Sequence, residues 1–468
     1  MHSSLRRYVG DRNFYKTVMK LVIPIIIQTG VTNFVSLLDN LMVGALGTVP
    51  MNGVSISNQI IFIYNLAIFG IMSGASIFGA QFYGVRDYKG MRHAMRFKLL
   101  FGAIIAAVSI VVLAVFGEDL VQLFLSSQNN TGTEAADTLR NAKSYIWYTL
   151  WGIPAFMVVQ AYASTLRESG ETVVPMVASV SAILVNLVFN YLLIFGHLGF
   201  PAMGVAGAAL ATVLSRYVEF AIVVVYSHTH SDRFPFIKGV YRGFGIPAEL
   251  VKRIWITSAP LVINETLWAL GNAFITRNYS IRGLSVVAAI SINNTAWQVF
   301  SIMMMSMGTA VGILIGQLLG AGEIEEAKDA NRKILAFTTV LHVGIGLLVI
   351  ACSGLFPRLY NTEAEVRSLA SRFLLVTGCS LPIHAFIHAA YFTIRSGGKT
   401  FVTMLFDSVY TWVVPVVLSL TLCRFTSLSM AMIFFIVQFS DIIKVIIAVP
   451  MIRSGFWAKN IISGEGNA

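Results

Sequence analysis

Long apolar stretches with few or no charged residues recur along the chain, and each is long enough to cross a bilayer. An apolar run of about 20 residues spans the roughly 30 Å hydrocarbon core as a helix. Twelve such runs can be read: 17–43, 53–81, 97–116, 144–165, 174–195, 204–227, 254–276, 286–318, 334–356, 373–394, 402–423 and 428–450. This pattern predicts an all-α integral membrane protein. Within the first run the apolar pattern is broken by Pro24, Gln28, Asn33 and the carboxylate of Asp39. A charged group at membrane depth costs about 2.5–3.5 kcal/mol on insertion scales, so it is expected to face protein or water. Asp39 is therefore the first candidate for an ion-coupling residue.

The runs form a repeat. A shift of 236 residues places Pro24 on Pro260, Gly47 on Gly283, Ser55-Ile56 on Ser291-Ile292, Asn58 on Asn294, Gln81 on Gln317 and Gly84 on Gly320. A single ungapped offset over such a length marks an internal duplication. Further along the offset becomes 228, matching Pro154 to Pro382 and 166–172 to 394–400. The expected organisation is a six-helix lobe over 1–227, a basic cytoplasmic linker over 228–253 and a second six-helix lobe over 254–468. An even number of spans gives both lobes the same orientation. The fold predicted is two six-helix bundles related by a pseudo-twofold axis along the membrane normal, with transport by rocking alternating access.

Composition agrees, with 56% hydrophobic and 12% charged residues. The net charge of +11 would suit nucleic acid, but its distribution does not. Twenty-four of the 33 Lys and Arg fall on the termini and loops of one side. That is the positive-inside bias, and it places both termini in the cytoplasm of an inner-membrane protein. The basic loops are expected to rest on an anionic inner leaflet. The loop 117–143 is then external. The first apolar run is too long for a cleavable signal. Cys352, Cys379 and Cys423 are scattered, with neither disulfide nor metal spacing.

Three motifs resemble the multidrug and toxic compound extrusion (MATE) family. They are Asp39-Asn40-Leu41-Met42-Val43-Gly44-Ala45-Leu46-Gly47; Asn190-Tyr191-Leu192-Leu193-Ile194-Phe195-Gly196 continuing to Gly204 through Thr212; and the paired turns at Arg167 and Arg395. The resemblance extends over nearly the whole chain. It implies a twelve-helix secondary antiporter that exports organic, often cationic, compounds in exchange for H⁺ or Na⁺. It implies no cofactor besides the coupling ion. The expected partners are a small organic substrate and the lipid bilayer, with no nucleic acid, and the expected state is a monomer.

Asp39 resembles the first-helix carboxylate of the family's proton-linked branch. It would take a proton from outside and release it inside as its surroundings rewet. Asn186 and Asn190, four apart, share a helix face. With Asp39 and Thr212 they form an oxygen-rich set suited to Na⁺ or to holding the carboxylate. Asn190 stands where some members carry a second aspartate, which weakens the Na⁺ reading. Glu265 resembles a glutamate of the Na⁺-linked branch, with Asn264, Asn272, Asn293 and Asn294 as expected partners. His384 stands where that branch has an aspartate, which argues against a Na⁺ ligand there; the histidine is expected either to handle protons or to pack between helices. The substrate cavity is expected to use Gln28, Asn33, Asn58, Asn264, Trp268, Asn294, Met303, Met304 and His388. Methionine suits promiscuous apolar surfaces. Arg216/Glu219 and Asp441/Lys444 are spaced as local i,i+3 ion pairs.

No phosphate loop, nucleophile elbow or zinc signature is present in the chain, so an enzyme is not expected. The competing reading is a flippase of a lipid-linked saccharide or other lipid-like cargo. That protein would be expected to carry a cationic cavity, whereas Asp39 and Glu265 favour cationic cargo.

Overall fold

The computed structural model describes residues 7–127, 133–243 and 245–463. Among them the regular backbone is helical, with no strand. Lipid explains this: a helix satisfies its own backbone groups where water is absent.

The first lobe of the sequence gives α1 (Arg12–Gly44), α2 (Thr48–Gly84), α3 (Tyr88–Ser127), α4 (Thr133–Leu150), α5 (Ile153–Glu168), α6 (Val173–Phe195) and α7 (Val205–Thr229). The second gives α8 (Ala248–Ser280), α9 (Leu284–Gly320), α10 (Ile324–Cys352), α11 (Ala364–Ser396), α12 (Thr400–Phe425), α13 (Met430–Phe439) and α14 (Ile442–Arg453). With α4–α5 and α13–α14 each read as one interrupted span, these make the twelve transmembrane segments.

Three predicted segments differ in detail. The fourth run, expected to be continuous over 144–165, breaks at Trp151-Gly152. Pro154 opens the first turn of α5, where its missing N–H costs nothing. The twelfth breaks at Ser440-Asp441. The expected external loop 117–143 is mostly helix: α3 continues to Ser127 and α4 begins at Thr133, while residues 128–132 lie outside the described residues.

The backbone repeats the sequence duplication. Gly47 and Gly283, 236 apart, hold φ of 112° and 116° just before α2 and α9. An L side chain rarely adopts that conformation.

Contacts divide the chain into two compact units. One comprises Ile27–Gly79 and Asp87–Trp255; the other comprises Met1–Ile26, Ala80–Arg86 and Ile256–Ala468. In the first, the stretch 228–253 is no free tether. Phe236 and Val240 are buried, and arginines at the start of α3 bind its backbone. Arg96 donates to the carbonyls of Gly239 (2.7 Å), Val240 (2.9 Å), Arg242 (3.0 Å) and Gly245 (3.3 Å). Arg92 donates to those of Pro235 and Phe236. Arginine forks thus satisfy carbonyls that a loop cannot pair by itself. Lys98 is also buried here, paired with Glu168 and donating to Ser164 at 3.1 Å and Thr165 at 3.2 Å.

In the second unit the ends of α2 and α9 cross with their backbones in contact. A Cβ on Gly84 would lie 1.9 Å from the Gln317 carbonyl oxygen, and one on Gly320 would lie 1.9 Å from that of Gln81. The two contacts are equivalent through the repeat: each glycine meets the counterpart of the glutamine three residues before it. The chain after α14 closes over this crossing. Gln81 donates to Ser396 O (3.0 Å) and Lys459 O (3.2 Å) and accepts from Ile461 N (2.8 Å). Asn460 donates to Gly320 O, and Trp457 is fully buried.

Candidate functional site: two polar networks inside apolar helices

Asp39 lies near the end of α1, in the first unit. Asn190 on α6 donates its amide to the Asp39 carboxylate. Asn186, one turn earlier on α6, faces the same group. With its amide nitrogen toward Asp39 it donates to Oδ1 at 2.9 Å. In the opposite orientation it accepts from Asn190 at 3.1 Å and donates to Thr212 on α7 at 3.3 Å. The amide can therefore present either a donor or an acceptor to the carboxylate. The four residues Asp39, Asn186, Asn190 and Thr212 are brought together as the sequence suggested. No salt bridge to Asp39 exists among the described residues.

Arg216, one turn beyond Thr212, is within electrostatic reach of Asp39 but ion-paired elsewhere. Its guanidinium donates to Glu219 at 3.0 Å and rests over the Phe156 ring at 5.0 Å. Glu219 is buried and also accepts from Ser179 at 2.5 Å. Ser179 accepts from Gln28 on α1 at 2.7 Å. The chain Gln28–Ser179–Glu219–Arg216 ties the helix carrying Asp39 to α6 and α7. Gln28 is thus engaged in packing, while Asn33 and Asn58 are exposed.

Glu265 and His384 lie in the second unit. Asn264, expected to serve Glu265, instead donates to Asp407 (3.2 Å) and Tyr391 (3.3 Å) and accepts from Ser408 (2.6 Å). Asn272 donates to Trp268 O, and Asn293 accepts from Thr377. These three amides therefore do not solvate the glutamate, which has Asp407 and Arg395 within electrostatic reach.

Asp407 was not singled out from the sequence. It is a carboxylate inside the eleventh apolar run, so the criterion that picked out Asp39 would also have found it. The expected Asp441/Lys444 pair is not formed either. Lys444 donates to Asp407 at 3.1 Å, and Asp441 faces His384 Nε2 at 3.3 Å. Contacts across helices win here because Asp441 and Lys444 open a new helix, where Asp407 and His384 are nearer. The His384 ring stands edge-on to Trp297, and His388 packs on Phe392. The described residues contain no metal-binding group of His, Cys, Asp or Glu.

Of the expected cavity residues in this unit, Trp268 and Asn294 are exposed and Met303 and His388 are half-buried. Asn264 and Met304 are buried within the helix packing, not on an open surface.

The two networks correspond through the repeat. The 236 and 228 offsets place Gln28 on Asn264, Ser179 on Asp407 and Phe156 on His384. Aligning the start of α7 with that of α13 gives an offset of 225, which places Arg216 on Asp441 and Glu219 on Lys444. Three contacts have counterparts with different charges: Gln28–Ser179–Glu219 becomes Asn264–Asp407–Lys444, and Arg216 on Phe156 becomes Asp441 on His384, whereas the Arg216–Glu219 pair is not repeated between Asp441 and Lys444.

A duplicated bundle of transmembrane helices with carboxylates inside it is an arrangement found among membrane transporters. The MatE family model matches residues 24–192 and again 260–421, and the chain belongs to this family, the multidrug and toxic compound extrusion transporters. A probable multidrug resistance protein of Bacillus subtilis, YoeA, is 23% identical over 88% of this chain and 88% of its own length. A probable multidrug resistance protein NorM of Thermotoga maritima is 22% identical over 89% of this chain and 87% of its own. Among solved structures, a mutant of the Vibrio cholerae MATE transporter VcmN superposes with a TM-score of 0.85 at 17% identity, over 96% of this chain and 98% of that one. A MOP superfamily transporter from Pyrococcus furiosus, described as having a binding pocket of reverse polarity, gives 0.82 at 18% identity over 96% and 97%. The protein is thus a multi-pass membrane transporter of the multidrug efflux class.

Proposed function

We propose that this chain is an antiporter that exports amphipathic organic cations in exchange for inward protons, with Asp39 as the coupling group. The observation that carries this reading is the surroundings of Asp39: neutral amides from Asn186 and Asn190, with the nearest cation, Arg216, held by Glu219. A carboxylate satisfied by donors that can turn is able to accept and release a proton without breaking an ion pair. When ionised it accepts from both amides; when protonated it donates, and the Asn186 oxygen can turn to receive it.

Pro24, inside α1 and without an N–H to continue the ladder, marks where the helix can bend as this exchange occurs. Gln28 lies just beyond that point, so a bend there would draw on the Gln28–Ser179 bond. The chain's apolar, methionine-rich helices and its carboxylates Asp39, Glu265 and Asp407 suit cargo that is both greasy and positive. The inner membrane, with cytoplasmic termini, is the location the basic loops favour.

A second reading exchanges Na⁺ for H⁺ as the driving ion. It draws on the oxygens of Asp39, Asn186 and Thr212, but the asparagine at 190 removes a negative charge that a sodium site would use. The test is efflux of a fluorescent cation from vesicles holding the purified protein. Asp39→Asn is expected to remove proton-driven efflux while the protein still inserts; undiminished efflux would refute the coupling role.

A further inference from the structure

Lys444 occupies an unusual position. It lies in the first turn of α14, at the helix end whose partial charge is positive. It is also almost fully buried, with its side chain 6% exposed. Its ammonium is received by a box with three walls. The Asp407 carboxylate is 3.1 Å away, the Tyr410 ring centroid 4.9 Å away and the Phe406 ring centroid 5.9 Å away. Carboxylate plus aromatic faces is the chemistry that recognises an organic ammonium. Asn264 fixes the second carboxylate oxygen.

The backbone around the box is irregular on both sides. Asp407 lies on a π-helical stretch, Leu405–Val409, followed by another at Trp412–Val416. Such bulges concentrate at functional sites. Facing them is the break between α13 and α14, where Tyr410 donates to the Ser440 carbonyl at 2.6 Å. Interrupted helices at membrane depth are tolerated where they line a cavity or a binding site. The duplicated position in the first half carries Glu219, not a cation, so the bundle does not itself require an ammonium there.

We propose that Phe406, Asp407 and Tyr410 form a binding site for an organic ammonium group, and that Lys444 is the resident cation that fills it until cargo displaces it. Asp407 remains partly open, its side chain 22% exposed, which gives an incoming cation a first contact. Lys444 then swings off Asp407 toward Asp441, three residues before it on the same segment. The site thus never stands as a bare buried carboxylate, which would be costly. The proposal deepens the reading of the chain as a cation exporter. It does not depend on Asp39 as the coupling group.

The test is binding to purified protein in detergent, without any ion gradient. Lys444→Ala leaves a channel shaped for a short alkylammonium. Adding n-butylammonium is expected to raise the melting temperature of this variant by about 2–4 °C, while n-butanol does not. Asp407→Asn in the same background is expected to abolish the rise. Equal effects of amine and alcohol, or a rise that survives Asp407→Asn, would overturn the proposal. Should Lys444→Ala not fold, Lys444→Met fills the stem without the charge. That variant is expected to bind ethidium about tenfold more tightly than the unaltered protein, and unchanged or weaker binding would overturn the proposal. The same gain is expected in an Asp39→Asn background, so a failure of proton coupling and a failure of this site give different results.

Discussion

Asn190 on α6 donates its amide to Asp39 on α1, joining two helices through a carboxylate that carries no ion pair among the described residues. The repeat does not duplicate this contact: the counterpart of Asp39 is Ile275 and that of Asn190 is Leu418. The first half therefore carries a feature that the second lacks.

Asn190→Asp places a second carboxylate against the first. Two adjacent carboxylates cannot both ionise cheaply without a cation between them. Efflux by this variant is expected to depend on external sodium, and efflux by the unaltered protein is expected not to. Efflux rates measured with and without a sodium gradient at constant pH decide it.

Glu219→Gln leaves Arg216 without its carboxylate, within electrostatic reach of Asp39. The freed positive charge favours the ionised form of Asp39. More external acid is then needed to protonate it, so the pH of half-maximal efflux should fall. Arg216→Gln combined with Glu219→Gln removes both charges and is expected to return the profile close to its starting point. Tyr64, Tyr145 and Arg167, which also lie within electrostatic reach of this pair, are left unchanged.

The Lys98–Glu168 pair is buried, with side chains 0% and 4% exposed. Removing one partner strands a charge, at a cost of about 3–5 kcal/mol. Lys98→Met alone is expected to lower the melting temperature sharply. Lys98→Met with Glu168→Gln should recover most of the loss. Thermal unfolding of the three variants in one detergent checks it.

Gly84→Val forces a side chain into the Gln317 carbonyl, since even a Cβ would approach to 1.9 Å. Neither backbone can yield without parting the ends of α2 and α9. Overpacking of this kind costs at least about 1–3 kcal/mol. The variant should also release the closing segment around Trp457, so limited proteolysis is expected to cut near residue 459 in the variant and not in the unaltered chain.

Much of this was legible in the residues. Polar groups are scarce in the apolar runs, so Asp39, Asn186, Asn190 and Thr212 stood out, and their i,i+4 spacing already put two of them on one face. The 236-residue offset was visible because membrane helices tolerate few gaps. Other features were not legible. An apolar run reports hydrophobicity, not backbone continuity, so the breaks at Gly152 and Ser440 did not register. Local spacing suggested that Asp441 would pair with Lys444. The actual partner, Asp407, is 37 residues away in sequence, and only the packing of α12 on α14 brings it near. The closing segment after α14 is polar and short and carries no periodicity. Its buried Trp457 was the one available sign.

Asp39 is proposed to couple proton entry to cargo exit. The most direct measurement uses purified protein in sealed vesicles, with ethidium movement followed after a proton gradient or a sodium gradient is imposed separately. Ethidium transport driven by the proton gradient is expected for the unaltered protein, and none above protein-free vesicles for Asp39→Asn. Equal proton-driven transport by both proteins would contradict it.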